Sequence, residues 1–443
     1  MRQLAVAAVT AWIVVIGTLL FLYAVISKRL STTIVTGPML FVTIGLVIGS
    51  SGLGVLDVEI DSEGITLLFE ATLALVLFSD AATINSSKWR EEAPIPGRLL
   101  SWGLLLTIVF GLAAAMVMFT EIDLWAAALI AVILAPTDAA LGQAVISNPR
   151  VPQSIRQALN VESGLNDGIA LPIILVVLRA AEESASGVSF GALMSFIGQE
   201  LLIAAVVGIA IGWIGGTVLV HAVKRGWVSS LWLQIGALSL GVAAYGLAVF
   251  WGGSGFIAVW LAGLVLGRAT RDKLEEVSGF SEALGSALTM ISFLVFGTVI
   301  LGTALGDLTW QIAVYAVLSL TVIRMVPVAL AMIGSGLNRV SVLYLGWFGP
   351  RGLASIIFAG LVVEGSEIPH ASLIVTVAMV TVGVSVYAHG ATSWIGSESY
   401  ANWLERHEAV THEPAEQRTV PHVSVPQRFR ASGMPRTDDP PTE

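Results

Sequence analysis

Thirteen apolar stretches follow one another along the first 393 residues of this chain, and they restrict its fold more than any other feature. They cover residues 4–26, 33–51, 64–82, 98–119, 124–146, 158–178, 189–220, 229–251, 254–268, 279–304, 309–334, 341–363 and 370–393. A helix needs about 20 apolar residues to cross the hydrocarbon core of a bilayer. Only 12% of the residues are charged, whereas soluble domains average about 25%. The sequence therefore predicts an all-α polytopic membrane protein with thirteen transmembrane helices.

The two ends of the chain are expected to differ. The first stretch exceeds the core of a signal peptide, which has about 7–15 apolar residues, so we expect it to be retained as a span. Residues 394–443 contain many prolines and charges and cannot bury a core. We therefore expect a transmembrane domain over residues 1–393 and a mostly disordered cytoplasmic tail over 394–443, which begins with a short interfacial helix over Trp394–Leu404.

The basic residues of the connections collect on one side of the predicted membrane. Connections after odd-numbered segments contain Lys28, Arg29, Lys88, Arg90, Arg98, Arg150, Arg156, Lys224, Arg225, Arg268, Arg271, Lys273 and Arg339, and those after even-numbered segments contain Arg179 alone. Cytoplasmic connections carry such an excess of Lys and Arg. We therefore predict a multi-pass protein of the inner (plasma) membrane with its N-terminus outside and its C-terminus in the cytoplasm. No basic block indicates nucleic-acid binding, and no motif indicates a cofactor.

Two of the predicted helices are interrupted. Segment 5 contains Ala135-Pro136-Thr137-Asp138, and segment 12 contains Gly349-Pro350-Arg351-Gly352. A proline within a helix removes a backbone donor, and a carbonyl freed at membrane depth must meet protein, water or an ion. If segments 1–6 and 8–13 are two repeats joined by segment 7, each interruption lies in the fifth segment of its repeat. Two ordinary proline kinks would explain the prolines, but the pattern favours inverted repeats whose broken helices cross at the midplane, as in secondary transporters.

Segment 6 begins with polar side chains in an otherwise apolar stretch: Glu162, Ser163, Asn166 and Asp167. A carboxylate at membrane depth costs about 2.5–3.5 kcal/mol on insertion scales, so it marks an ion or proton pathway. In a helix, Ser163 and Asp167 are four residues apart and share a face. These groups are therefore the first candidates for a functional site.

The sequence predicts a monovalent-cation site between segments 5 and 6. Asp167, Asp138, Ser163 and the carbonyl of Thr137 would supply oxygen ligands, with Asn166 beside them. Few full charges suit Na⁺, Li⁺ or K⁺ better than a divalent ion. Burial favours the neutral acid of Asp167 and a bound cation favours its carboxylate, so H⁺ and the cation compete. One such carboxylate beside a neutral amide predicts one proton per cation.

Two basic residues lie deep within the predicted spans, and each needs an acidic or carbonyl partner, because a lone buried guanidinium is very costly. We expect Arg351 to form a structural ion pair with Glu162, with Asp138 as the alternative partner. Arg324 is expected to act as a clamp near the cytoplasmic part of the bundle. Asp80, at the end of segment 3, is expected to be solvated or to lie in a vestibule, and it is a secondary site candidate together with Arg324.

Thr137-Asp138, Glu162-Ser163-x-x-Asn166-Asp167 and Gly349-Pro350-Arg351-Gly352 resemble the monovalent cation/proton antiporter-1 family, specifically prokaryotic sodium/proton exchangers of the NhaP type. Ala139-Ala140 departs from the Pro-Val of many relatives.

The resemblance covers all thirteen segments. It implies a homodimer in the bilayer, with a dimer domain and a mobile six-helix core that moves like an elevator. It assigns ion and proton binding to Asp167, a partner role to Asp138, ligand roles to Ser163 and Thr137, and a structural pair to Glu162 and Arg351. The Asn166-Asp167 pair implies electroneutral exchange.

Other functions fit parts of this pattern. A potassium-preferring antiporter of the same fold would use the same residues. An intramembrane aspartyl protease also needs two acids, but its second aspartate normally follows Gly-x-Gly, whereas Asp167 follows Gly164-Leu165-Asn166. A channel would need a repeated filter, and a primary pump would need a nucleotide-binding domain with a Gly-x-x-x-x-Gly-Lys-Ser/Thr motif. The sequence thus favours a secondary transporter over an enzyme.

Overall fold

The computed structural model describes residues 2–30, 33–55, 62–83, 94–186, 190–270, 274–364 and 368–408. All regular elements within these ranges are helices. Nine helical units there are long and apolar enough to cross a membrane, and four shorter apolar helices accompany them. Together they occupy the thirteen predicted segments, so the predicted all-α fold is confirmed.

Most helices follow the predicted segments without a long break. The uninterrupted ones are α1 (Arg2–Leu30), α2 (Gly37–Ile48), α3 (Ser62–Thr83), α6 (Gln153–Ser186), α7 (Phe190–Lys224), α8 (Ser230–Phe250), α9 (Gly255–Ala269) and α13 (Ala371–Glu408). α4 consists of Pro94–Arg98, a π-helical turn over Leu99–Gly103, and Leu104–Met118, and α10 consists of Leu274–Val295, a π-helical turn over Phe296–Leu301, and Gly302–Gly306. α11 consists of Trp310–Leu320 and Val322–Ala331, which meet at Thr321.

The two helices with proline breaks are split in the structure. α5 is divided into α5a (Leu124–Ile133) and the short α5b (Gln143–Ile146), and α12 is divided into α12a (Arg339–Trp347) and α12b (Leu353–Glu364). The chain between the halves is not helical, as the prolines predict. Both interruptions therefore expose backbone groups inside the bundle.

Side-chain caps fix where several helices begin. The capping side chains, each of which accepts a backbone N–H of the first turn, are Thr36, Asp123, Ser254, Thr309 and Asn338. Such oxygens satisfy donors that the helix itself leaves unpaired. The cap at Asp123 fixes the start of α5a, ten residues before the helix stops at Ile133.

α9 packs closely on α3 near the end of that helix. A Cβ on Gly267 would collide with the carbonyl of Ala82, so only glycine permits this approach. Small residues allow membrane helices to approach in this way. The contact fixes the last turn of α3, where Asp80 lies.

α13 is longer than the sequence predicts. Residues 394–404, for which the sequence predicts a separate short helix, instead continue α13 as far as Glu408. The side chain of Tyr400 is buried there, stacks on Tyr344 and hydrogen-bonds Ser341 over 2.8 Å. These contacts join the extension to α12a. The remainder of the predicted tail, residues 409–443, lies outside the described residues.

Candidate cation site at the crossing of two interrupted helices

The broken stretches of α5 and α12 contact each other directly. The backbone N–H of Asp138 donates to the carbonyl of Pro350 over 2.8 Å. The Ser355 hydroxyl donates to the carbonyl of Ile133, also over 2.8 Å. The two interruptions therefore satisfy part of each other's freed backbone, as buried irregular chain requires.

The Asp138 carboxylate accepts backbone N–H groups on both sides of the crossing, one of them at the start of α12b. Its Oδ1 accepts the N–H of Leu141 at 2.9 Å, and its Oδ2 accepts the N–H of Leu353 at 2.8 Å. Leu353 is the first residue of α12b, and the positive end of a helix dipole favours an anion there. A Cβ on Gly352 would collide with this carboxylate, so the break in α12 needs glycine at that position.

The Arg351 guanidinium contacts backbone carbonyls, whereas the Asp138 carboxylate contacts backbone N–H groups. Its Nη1 donates to the carbonyls of Ala135 at 2.9 Å and Pro136 at 3.1 Å, just after the end of α5a. Its own backbone N–H donates to the Ser385 hydroxyl of α13 over 2.7 Å. A cation is favoured at the negative end of a helix. Arg351 thus supplies fully buried positive charge to carbonyls that the break in α5 leaves without helical partners.

The predicted ion pair between Glu162 and Arg351 is wrong, because the partner of Glu162 is Arg324. Nη1 of Arg324 lies 2.6 Å from Oε1 of Glu162, and Nη2 lies 2.8 Å from Oε2. Both side chains are buried, and the two parallel bonds use both carboxylate oxygens. Arg351 donates to the backbone carbonyls of Ala135 and Pro136 instead.

Arg324 also lies elsewhere than the sequence predicts. Its guanidinium is at the crossing, where a Cβ on Gly349 would collide with it. Arg324 therefore clamps α11 to α6 beside the break in α12.

The break in α5 is tied to α6 through polar side chains. Nδ2 of Asn166 donates to the Thr137 hydroxyl over 2.7 Å, and that hydroxyl lies 3.4 Å from the Ser163 hydroxyl. Ser163 in turn donates to the carbonyl of Leu159 over 2.9 Å. The remaining amide atom of Asn166, Oδ1, is buried without a hydrogen-bond partner in the described part of the chain. All three predicted polar residues therefore lie together at one place.

A small cavity lies beside this network. Its volume is about 20 Å³, and its lining includes Asp138, Ser163, Asp167, Asp80 and Thr289. A space of this size holds about one water molecule, or one ion in its place. The structure therefore brings predicted acids from α5 and α6 to a single ion-sized space.

Asp80 of α3 and Thr289 of α10 also line the site; Asp80 was a secondary candidate in the sequence, and Thr289 was not a candidate. Asp80 is only 7% exposed, so of its two predicted surroundings, solvent and a vestibule, solvent is wrong. It follows the apolar run of α3, and its position as the last acid of that helix was the one available signal. The sequence did not indicate a site role for Thr289 of α10. A threonine that hydrogen-bonds the carbonyl four residues earlier is common in membrane helices.

The donor set suits a monovalent cation. The described residues contain no group of three acidic, histidine or cysteine side chains arranged to hold a metal centre. Carboxylate and hydroxyl oxygens line the cavity, and hard cations prefer oxygen ligands.

A family profile described as "Sodium/hydrogen exchanger, transmembrane" matches residues 15–395. The chain belongs to the sodium/hydrogen exchanger family. This membership confirms the predicted antiporter family and the prediction of a transporter rather than an enzyme.

Individual relatives agree with the family assignment. A K⁺/H⁺ antiporter NhaP of Alkalimonas amylolytica is 26% identical over 419 residues, which are 94% of this chain and 70% of that protein. A K⁺/H⁺ antiporter NhaP2 of Shewanella sp. (strain ANA-3) is 25% identical, over 83% of this chain and 62% of that protein. A Na⁺/H⁺ antiporter of Schizosaccharomyces pombe is 22% identical, over 59% of this chain and 58% of that protein. The matched regions cover 58–70% of the length of these relatives.

The fold matches a solved antiporter. The sodium proton antiporter MjNhaP1 from Methanocaldococcus jannaschii at pH 8 superimposes with a TM-score of 0.69 at 21% identity, over 86% of this chain and 99% of that chain. This chain therefore shares the overall fold of that antiporter.

Proposed function

We propose that this chain exchanges one monovalent cation for one H⁺ across the membrane, with both ions bound in turn at Asp167. The observation that carries the proposal is the ion-sized cavity lined by Asp167, Asp138 and Ser163 beside the crossing. The family assignment and the named activities of the relatives support the same conclusion.

Within this site the two aspartates have different roles. Each oxygen of Asp138 accepts a backbone N–H, which fixes the position of this side chain. Asp167 lies on the continuous helix α6, and its side chain borders the cavity. Asp167 is therefore the group that releases a proton when a cation enters and takes one up when the cation leaves.

Coupling follows from the cost of an empty charged site. An unpaired carboxylate is expensive to move through a low-dielectric region, whereas a neutral acid and a cation–carboxylate pair are not. The site therefore switches from one side of the membrane to the other only when H⁺ or the cation is bound. Because Asn166 is neutral, one exchange cycle moves no net charge.

The positioning groups fit a core that moves as one body. Arg324 holds α11 to α6, Asn166 holds the break in α5 to α6, and Arg351 joins the breaks of α5 and α12. We propose that these helices form a mobile core that carries the site past a dimer domain in an elevator-like movement. We further propose a homodimer in the inner membrane, with an outside N-terminus and a cytoplasmic C-terminus, as the distribution of basic residues indicates.

Na⁺ is the first candidate cation, and Li⁺ would compete with it. The cavity of about 20 Å³ has room for one dehydrated alkali ion. K⁺ is the second candidate, supported by the K⁺/H⁺ activity named for the relatives from Alkalimonas and Shewanella.

Reconstitution into proteoliposomes with a trapped pH dye tests the proposal. Addition of Na⁺, Li⁺ or K⁺ should release H⁺ from the lumen, choline should not, and a clamped membrane potential should leave the rate unchanged. Asp167→Asn should insert normally and abolish the signal, because the amide neither titrates nor attracts a cation. Normal exchange by that variant would refute the site, and a clear voltage dependence would refute the one-for-one ratio.

A further inference from the structure

A second recess lies away from the crossing, between the start of α4 and the end of α11. Its volume is about 650 Å³, and its lining includes Arg98, Ser101, Trp102, Leu106, Leu330 and Ile333. We call it the α4–α11 groove. No step of the exchange proposed above uses these side chains.

One cation lies within the groove and is only partly engaged. Nη1 of Arg98 donates to the carbonyls of Ala331 at 3.2 Å and Ile333 at 2.5 Å, where α11 ends. A guanidinium carries five N–H donors, and within the described ranges the hydrogen bonds of Arg98 all come from Nη1. The Nε and Nη2 donors thus remain for a further acceptor.

The walls of the groove are apolar and open. Trp102 is 63% exposed and Ile333 is 71% exposed, with Leu330 also exposed beside them. The π-helical turn Leu99–Gly103 carries Ser101 and Trp102, and single π-helical turns of this kind frequently mark functional sites. In a membrane protein, exposed apolar walls at the end of two spans face the acyl chains of the lipid.

We propose that the α4–α11 groove binds an acidic phospholipid, with the headgroup phosphate on the Arg98 guanidinium and an acyl chain along Trp102 and Leu330. Basic pockets between transmembrane helices on the cytoplasmic side recognise anionic headgroups, and tryptophan is enriched at that depth. The assignment to the cytoplasmic leaflet rests on the orientation proposed above. Free phosphate would use Arg98 but leave the apolar walls unused, so the groove favours a lipid.

The expected selectivity is modest, because a single arginine is involved. A basic residue near an anionic membrane surface contributes about 1 kcal/mol, which corresponds to about a fivefold preference for phosphatidylglycerol over phosphatidylcholine. The effect should be confined to bound lipid and should not depend on which cation is exchanged.

Native mass spectrometry of the whole protein, released from micelles that contain equal amounts of the two lipids, measures this preference. Wild-type protein should retain about five times more phosphatidylglycerol, and Arg98→Ala should retain the two lipids equally. Arg268→Ala is the matched control, because Arg268 is an exposed arginine at the end of α9 and outside the groove, and it should behave as wild type.

Arg98→Ala also removes the two bonds to the end of α11, so a second variant separates lipid binding from folding. Ser101→Asp keeps Arg98 in place and adds a carboxylate one helical turn away, which would occupy the guanidinium and repel the headgroup. Loss of the preference in both variants, with folding retained in Ser101→Asp, supports the proposal. An unchanged preference in Ser101→Asp, or displacement of the lipid by millimolar inorganic phosphate, would overturn it.

Discussion

The two helix breaks look alike in sequence, yet the structure gives them opposite electrical roles. Each break has a proline followed closely by one charged residue, an acid in α5 and a base in α12. Asp138 of the first break accepts the N–H that starts α12b, and Arg351 of the second donates to the carbonyls that follow α5a. Each break therefore supplies the charge that the other helix end requires.

This reciprocity explains why a charged crossing is stable at membrane depth. The positive start of one half-helix faces a carboxylate, and the negative end of the other faces a guanidinium. Both charges have backbone partners within the protein. Asp167, in contrast, lies on α6, which has no such break.

The largest effect should follow removal of the acid in α5. Asp138→Ala leaves the buried N–H groups of Leu141 and Leu353 without their acceptor, and we expect a loss of about 3–5 kcal/mol in unfolding free energy. Thermal unfolding in detergent measures the loss.

Asp123→Ala is the matched control for that variant. Asp123 also caps α5, through the N–H of Ala126 at 2.7 Å, but it lies at the other end of α5a. Asp123→Ala should lower the free energy of unfolding by about 1 kcal/mol and leave exchange intact. Equal losses in the two variants would mean that Asp138 is an ordinary cap.

A smaller effect should follow removal of the base in α12. Arg351→Met leaves the carbonyls of Ala135 and Pro136 without a donor, and we expect a loss of about 2–3 kcal/mol. Arg351→Lys keeps the charge, and because both carbonyls are served by one nitrogen, it should recover at least half of that loss. If lysine proved no better than methionine, charge at the end of α5a would not matter, and the comparison of the breaks would fail.

The smallest effect should come from a neutral bond between the same helices. Ser355→Ala removes one hydroxyl bond to the carbonyl of Ile133 and should cost about 1 kcal/mol, with the cation affinity unchanged. Thermal unfolding and a cation titration of the variant measure the two quantities. A cost as large as that of Arg351→Met would show that hydrogen bonding alone, without charge, holds the crossing.

The sequence predicted the elements better than their partners. The apolar stretches predicted thirteen helices, the prolines predicted both breaks, and the polar run of segment 6 predicted Asp167, one of the acids that line the cavity. These are local properties, since each depends on the composition of one segment.

The partners of the buried charges depend on which helices touch, and periodicity does not encode that. Arg324 was predicted to lie away from the crossing, although α11 brings it to Glu162. The partners of Arg351 are backbone carbonyls, which a search for acidic side chains does not find. The burial of Asp80 could not be predicted for the same reason, because it depends on the helices that pack on the end of α3. Long-range helix contacts are thus the part of the site that the sequence left undetermined.

The most direct test of the account is the pH dependence of the apparent cation affinity in proteoliposomes. If H⁺ and the cation compete for Asp167, the apparent KM for Na⁺ should rise about tenfold for each unit that the pH falls below the pKa of the site, while the maximal rate stays constant. An apparent KM that does not change with pH, with only the maximal rate falling in acid, would contradict the account.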